Sequence, residues 1–486
     1  MNNMNRRDFL KGAALTAGAA ALAACTPTAQ PNTGQVVKET VVVEKAVQST
    51  VVVEKEVEKV VTATPGVVDW LHAEDISAMP STAIRYWFYE SPERTELGQK
   101  QVEEFQKLFP NIKVLGRQAP RWTDNQALLA YIKAGTSSHI QQSMNNEDLW
   151  YIAHGVPLAA DEMPGFQAVY DSITPKMNYQ WEGKTWSLPW YYAGQAISYN
   201  KKLVEAAGLD PKNPPKTYSE FMGWAEALTI PGKQWFAAPT QGEEWWWWEF
   251  VLNPFYIAAT GTADLLDKET KKPIFNNDGY AKVLQMWQDL FTKGYATYET
   301  FQTSPFLGGQ VACDLPAFLG NHQGYRRDGP PDFEYFVGPI PKPDDSTVPG
   351  NKTFMQVRNL MLIKEIQKTG EEADRIMRAS WEFERYLLSP AQAAADFEVS
   401  GEPPSQADFL TNPLYTNKAA ELGPEFQWHA KYVLEEGMIG DLTSVKAVEY
   451  MDFQQKLYLN IIRSKMTPAE GLKWAEEETI KMLAQP

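Results

Sequence analysis

From about Ser81 the chain alternates short apolar runs with amphipathic stretches. Ala83-Ile84-Arg85-Tyr86-Trp87-Phe88 reads as a strand, and it is followed by a stretch in which Val102, Phe105 and Leu108 share one helical face until Pro110 stops it. Ile112-Lys113-Val114-Leu115 is then a second strand. A strand, a helix and a strand in so short a space predict parallel pairing with a right-handed crossover, which sets the class as α/β. Later helices declare their starts. Thr217 with Glu220, and Thr467 with Glu470, form capping boxes, the second with proline at the first helical position. Asn200 caps a helix from Lys201 to Ala207, and Gly208 supplies the left-handed residue after it.

Before this body the pattern is different. Asn5-Arg6-Arg7-Asp8-Phe9-Leu10-Lys11 leads into an apolar run from Gly12 to Ala24, too short to span a bilayer and suited to a twin-arginine export signal. The run ends in Leu22-Ala23-Ala24-Cys25, which resembles a lipobox, so Cys25 is the expected lipidated N-terminus of the mature chain. Residues 1–25 are therefore read as a lipoprotein signal and 26–80 as a tether. Thr40-Val41-Val42-Val43-Glu44-Lys45 recurs ten residues later as Thr50-Val51-Val52-Val53-Glu54-Lys55. With no aromatics up to Pro65, this segment buries no core of its own and reads as a stalk, with a self-associating helix as the alternative. The only other cysteine is Cys313, so no disulfide framework exists and that thiol is expected to be buried.

Composition narrows the function. The body of about 400 residues exceeds what one core usually holds, so two lobes are expected. Net charge is −16, with no basic block after the signal, which excludes nucleic acid as a partner. The five histidines lack metal-ligand spacing, and no hydrolase or phosphate-binding motif occurs, so no cofactor, metal or catalytic residue is assigned. A secreted glycoside hydrolase remains the enzymatic alternative, because carboxylate pairs and tryptophans also build such sites.

Trp181-Glu182-Gly183-Lys184-Thr185-Trp186-Ser187-Leu188-Pro189, then Ser198-Tyr199-Asn200-Lys201, Ala207-Gly208-Leu209, Pro215-Lys216-Thr217-Tyr218 and Glu220-Phe221 occur in that order. In this succession the chain resembles the family 1 extracellular solute-binding proteins of ABC importers. The segments Glu104 to Val114, Gly155 to Leu158, Leu388 to Gln392 and Gly401 to Ser405 extend the resemblance over nearly the whole body. It departs after Cys313, where Pro316-Ala317-Phe318 stands in place of a segment that commonly carries a stacking tryptophan. The resemblance implies a two-lobed periplasmic-binding-protein-like fold of class II, each lobe a mainly parallel sheet flanked by helices, with about three crossings and a ligand cleft between the lobes. Lobe 1 is expected at 81–191 plus 357–404, and lobe 2 at 192–355 plus 406–486. It further implies a monomer, lipid-anchored on the outer face of the cytoplasmic membrane, that delivers a carbohydrate to an ABC permease. A non-sugar solute such as a peptide, polyamine or polyol phosphate, and an adhesion protein, are the alternatives.

Sugars present hydroxyl edges and flat C–H faces, so aromatic platforms beside short polar side chains are the candidates. Trp190 and Tyr192 follow Pro189, where the first hinge strand is expected. Glu243, Trp245 and Trp246 belong to the run Glu243-Glu244-Trp245-Trp246-Trp247-Trp248-Glu249, whose four consecutive tryptophans cannot all face one core. Asn145, Asn146 and Glu147 lie on the loop expected after the third strand. Trp87 and Tyr89 end the first strand, where open α/β sheets place ligands. Asp314, Phe318 and Arg358, with Trp122 and Tyr325, complete the set from segments near the expected cleft. For each, a buried core residue or a solvated loop is the competing reading.

Overall fold

The computed structural model describes residues 71, 73–88, 91–118 and 125–485. Strand β1 (Thr82–Phe88) pairs in parallel with β2 (Ile112–Gln118), from Thr82 opposite Ile112 to Phe88 opposite Gln118. The intervening helix Pro92–Leu108 starts where Ser91 accepts a hydrogen bond from the Arg94 amide and Pro92 takes the first turn. Val102 and Phe105 are buried as the pattern predicts, but Leu108 is 43% exposed, because the buried stripe continues to Phe109 instead.

Strands β3 (Ile140–Met144), β4 (Leu188–Asn200), β5 (Cys313–Phe318), β6 (Tyr335–Gly338), β7 (Thr353–Leu362) and β8 (Gly437–Ile439) complete a sheet ordered β2-β1-β3-β7-β4-β5, with β6 on β4 and β8 on β7. Strand β4 carries the architecture. Its first half, Leu188 to Gly194, pairs with β7, and its second half, Gln195 to Asn200, pairs with β5 and β6. All of its positions are buried, so one strand runs through both halves of the molecule. Both capping boxes form, Asn200 caps the helix Lys201–Ala206, and Gly208 has φ +74°.

Two hydrophobic cores flank this sheet. The first gathers Ile84, Phe105, Leu188, Val357, Trp381 and Phe426. The second gathers Ile197, Phe221, Trp248, Trp287, Tyr450 and Leu457. Two expectations are revised here. Residues Phe409, Tyr415, Phe426 and Val433, assigned from sequence to the second lobe, pack in the first core, so the last crossing comes after β8 rather than at 404–406. The sheet is also less parallel than expected. Among the described residues the parallel strand pairs are β1–β2, β1–β3 and β7–β8, whereas β3–β7, β4–β7, β4–β5 and β4–β6 are antiparallel. The reason is geometric: the chain leaves the first core along β4 and returns along β7, so two adjacent crossing strands must run in opposite directions. Cys313 is buried and free, as its isolation in the sequence predicts.

Candidate functional site

Where the two cores meet, a cleft of about 500 Å³ is lined from both sides. Ser91, Arg94 and Glu402 come from the first half, Phe250, Phe318 and Asn321 from the second, and Gln356 and Arg358 from β7 between them. A larger cavity of about 830 Å³ lies elsewhere, among Lys201, Asp210, Phe333 and Glu425. It lacks the crossing strands β4 and β7, whereas the cleft is lined by β7, so the cleft is the better candidate.

The first wall is built on ion pairing. Arg94 sits one turn into the helix that follows β1 and is 7% exposed. Its Nε and Nη2 donate to the Asp396 carboxylate at 3.1 and 3.0 Å, Nη2 donates to Glu402 at 2.9 Å, and Nη1 donates to the Tyr191 hydroxyl at 2.9 Å. The guanidinium also lies 4.2 Å from the Tyr191 ring centroid. A planar fork held by two carboxylates and a phenol is fixed in direction before any ligand arrives.

The second wall is aromatic. The helix Trp246–Val251 brings Phe250 edge-on to Phe318 at 5.1 Å, and Trp246 packs on Trp247 at 4.2 Å and on Phe250 at 5.9 Å. Trp248 turns inward, is fully buried and donates to the Tyr280 hydroxyl at 3.0 Å.

Behind the cleft lie buried carboxyl groups. Asp148 accepts from Ser187 at 2.5 Å and Asn359 at 2.8 Å, and also from Ser143 and Tyr179. Burial pushes it up to about 6 against those four bonds. Burial likewise pushes Glu147 up to about 7, while Arg358 and the Met144 amide pull it down. Glu249 is pushed up to about 8 by burial, then by Glu147.

Of the residues expected to hold ligand, the structure brings Phe318 and Arg358 to the cleft, and Asn145 and Asn146 to a recess adjoining it. Glu147 instead spends its carboxylate on the Met144 amide at 2.9 Å, closing the first turn of its helix. Trp190 and Tyr192 are 4% and 1% exposed in the first core and do not line the cleft, because β4 is buried on both faces. Trp87 is 4% exposed beneath the Arg117 guanidinium and the Tyr131 ring. Trp245 and Trp246 are half-buried against the second core, Trp246 behind the cleft-lining Phe250, and Glu243 is exposed before that helix. Asp314 is half-buried and accepts from Asn321 at 3.0 Å and from Tyr325. Tyr89, Trp122 and Cys25 lie outside the described residues.

Sequence reading missed Arg94, Phe250, Gln356, Asn321 and Glu402 as cleft residues. For Arg94 a signal existed, since it stands just beyond the C-terminal end of β1. Gln356 carries none, because only strand register turns it to the cleft.

The chain is similar to known proteins over most of its length. Residues 100–422 match the sequence model of the family described as bacterial extracellular solute-binding protein, and residues 3–23 match the twin-arginine translocation signal. The sn-glycerol-3-phosphate-binding periplasmic protein UgpB of Pectobacterium atrosepticum is 26% identical over 233 residues, 46% of this chain and 48% of that protein. The chain thus spans about half the length of that relative. The diacetylchitobiose binding protein DasA of Streptomyces coelicolor is 24% identical over 327 residues, 63% of this chain and 67% of that protein. Among solved structures, the cyclic alpha-maltosyl-1,6-maltose binding protein from Arthrobacter globiformis superposes with a TM-score of 0.67 at 18% identity, covering 83% of this chain and 99% of that one.

Proposed function

The chain belongs to the bacterial extracellular solute-binding protein family, and from that premise we propose that it captures a carbohydrate in the cleft on β7 and delivers it to an ABC permease. The observation that carries this reading is the pairing of one aromatic wall, Phe250 and Phe318, with one polar wall, Arg94, Gln356, Arg358 and Glu402, where two cores meet. Aromatic rings cover the C–H faces of a sugar, and fixed polar groups orient its hydroxyls. No bond is made or broken in this role. The lobes, taken as 81–191 with 357–436 and 192–355 with 447–486, close over the solute about the crossing strands. The twin-arginine signal directs the chain out of the cytoplasm, and Cys25 anchors it by lipid as a monomer, with the Val/Glu/Lys repeat as its tether.

A phosphorylated polyol is the second reading, supported by three arginines on one cleft: Arg94, Arg327 and Arg358. Arg94 is answered by Asp396 and Glu402, and Arg327 by Asp328 at 2.8 Å. A neutral solute therefore fits better than a dianion. Mass spectrometry of solute released from the denatured, purified protein, followed by titration calorimetry, tests this. A neutral oligosaccharide is expected, and an organic phosphate as the tight binder would replace the first reading by the second.

A further inference from the structure

Gln356 borders two spaces, the cleft and a recess of about 10 Å³ behind it. Its side-chain amide donates at 2.8 Å to the sulfur of Met144, which also lines the recess. The recess has room for a single oxygen atom, since a water requires roughly 10–15 Å³.

Two residues lining it carry polar atoms that find no partner within the protein, Asn145 Nδ2 and Glu249 Oε2. Both residues are buried, at 5% and 2% exposure. A buried polar atom left unpaired costs free energy comparable to a lost hydrogen bond, so two such atoms on residues lining one small space point to a shared partner. The backbone makes room for the arrangement, because a Cβ at Gly440 would stand 2.9 Å from Glu249 Oε1. Phe250, the next residue of the helix Trp246–Val251, lines the cleft. One turn of helix therefore serves both spaces.

We propose that the recess is the deep subsite of the cleft and takes one uncharged hydroxyl of the bound solute, held between Asn145 Nδ2 and Glu249 Oε2. This rests on the reading of the cleft as the solute site, and it narrows the solute to one whose inner end is a hydroxyl. Asn145 donates to the hydroxyl oxygen. Glu249 is pushed up to about 8 by burial and by Glu147, with Asp441 adding to this and Asn146 and Arg358 opposing it, so at neutral pH it is a carboxylic acid able to donate or accept. An anionic oxygen is rejected, because it would be desolvated against an acid with Glu147 and Asp441 nearby.

Two measurements on the full chain separate this proposal from the broader reading. A crystal structure without solute at neutral pH is expected to show one ordered oxygen within hydrogen-bonding distance of both Asn145 Nδ2 and Glu249 Oε2. An empty recess, or the two side chains bonded to each other, overturns the proposal whatever the cleft binds. Titration calorimetry with maltotriose, diacetylchitobiose and sn-glycerol 3-phosphate is then run on native, Asn145→Ala, Glu249→Leu and Glu249→Gln proteins. Affinity for a neutral sugar is expected to fall about ten- to hundredfold for Asn145→Ala and Glu249→Leu, and less for Glu249→Gln, which restores a polar atom. Native affinity in all three variants overturns the subsite and leaves the cleft reading standing. If none of the three probes binds native protein, the cleft reading fails instead, and the crystal structure alone decides the recess.

Discussion

The two walls of the cleft are made of different materials, and the difference assigns them different tasks. On the first, Arg94, Asp396, Glu402 and Tyr191 form a closed set of charge-assisted bonds. On the second, Trp246, Trp247, Phe250 and Phe318 form a ladder of rings. Directional groups discriminate, because a misplaced hydroxyl leaves a buried donor or acceptor unpaired. Rings supply area with little directional demand. On the proposed reading of the cleft, the site takes its specificity from one core and its grip from the other, so solute is held well only when both cores face it.

The largest effect is expected where the first wall is broken. Arg94→Ala leaves Asp396, which is 2% exposed, without its bidentate partner. Removing one member of a buried pair costs about 3–5 kcal/mol, so the urea midpoint should fall well below that of native protein. A midpoint within experimental error of native would mean that the first wall is not held by this pair.

Arg94 also shows where sequence reading reaches and where it stops. The helix containing it is plain from Val102, Phe105 and Pro110, and its place beyond β1 marks it as near a ligand. Its pairing with Asp396, some three hundred positions later, leaves no trace in either local pattern. The same limit governs the tryptophans. Periodicity alone establishes that Trp245 to Trp248 cannot share one environment, and indeed Trp248 is buried while the others are half-exposed. Which of them turns inward is fixed by Tyr280, on a helix whose docking is a tertiary event. Trp190 and Tyr192 mislead for the opposite reason. A strand buried on both faces presents aromatics at every position, so alternation cannot tell cleft from core. Capping boxes and the first strand-helix-strand unit were legible because their causes lie within a few residues of their effects.

The next effect contrasts a paired and an unpaired acid in the first core. Asp396 has Arg94, but both carboxyl oxygens of Glu384 lack a protein partner and burial pushes the group up to about 8. A carboxyl whose folded value is raised contributes stability that is fully present below its unfolded value of 4.5 and lost as pH rises through about 8. Native protein should therefore lose about 2–4 kcal/mol relative to Glu384→Gln between pH 5 and pH 9. Glu249 and Glu147 shift in the same direction, so the informative quantity is the difference between native and variant denaturation curves at the two pH values. Parallel curves would show that Glu384 is solvated in solution.

On the second wall the expected loss is in binding. Phe318→Ala removes the half-buried ring that meets Phe250 edge-on, and should weaken solute binding by about 1–2 kcal/mol, five- to thirtyfold in Kd. Stability should change by less than in Arg94→Ala, since Phe318 is only partly buried against the second core. Calorimetry and denaturation on the same variant separate the two effects. Full affinity with lost stability would make the ladder a structural feature of its own core.

The smallest effect on affinity is expected at Trp190, despite its place on the strand that joins the two cores. Its ring is 4% exposed, lies 5.6 Å from the Arg94 guanidinium and meets Tyr191 edge-on at 5.0 Å. Its Nε1 has no partner within the protein. Trp190→Phe keeps a ring beneath the guanidinium and deletes a buried donor that is paired with nothing, so the lost volume is partly offset. Stability should fall by about 1 kcal/mol and solute affinity should stay within about twofold of native. A tenfold loss of affinity at native stability would mean that this ring reaches the solute after the lobes close. Trp190 would then join the aromatic wall, and the separation of grip from discrimination between the two cores would not hold.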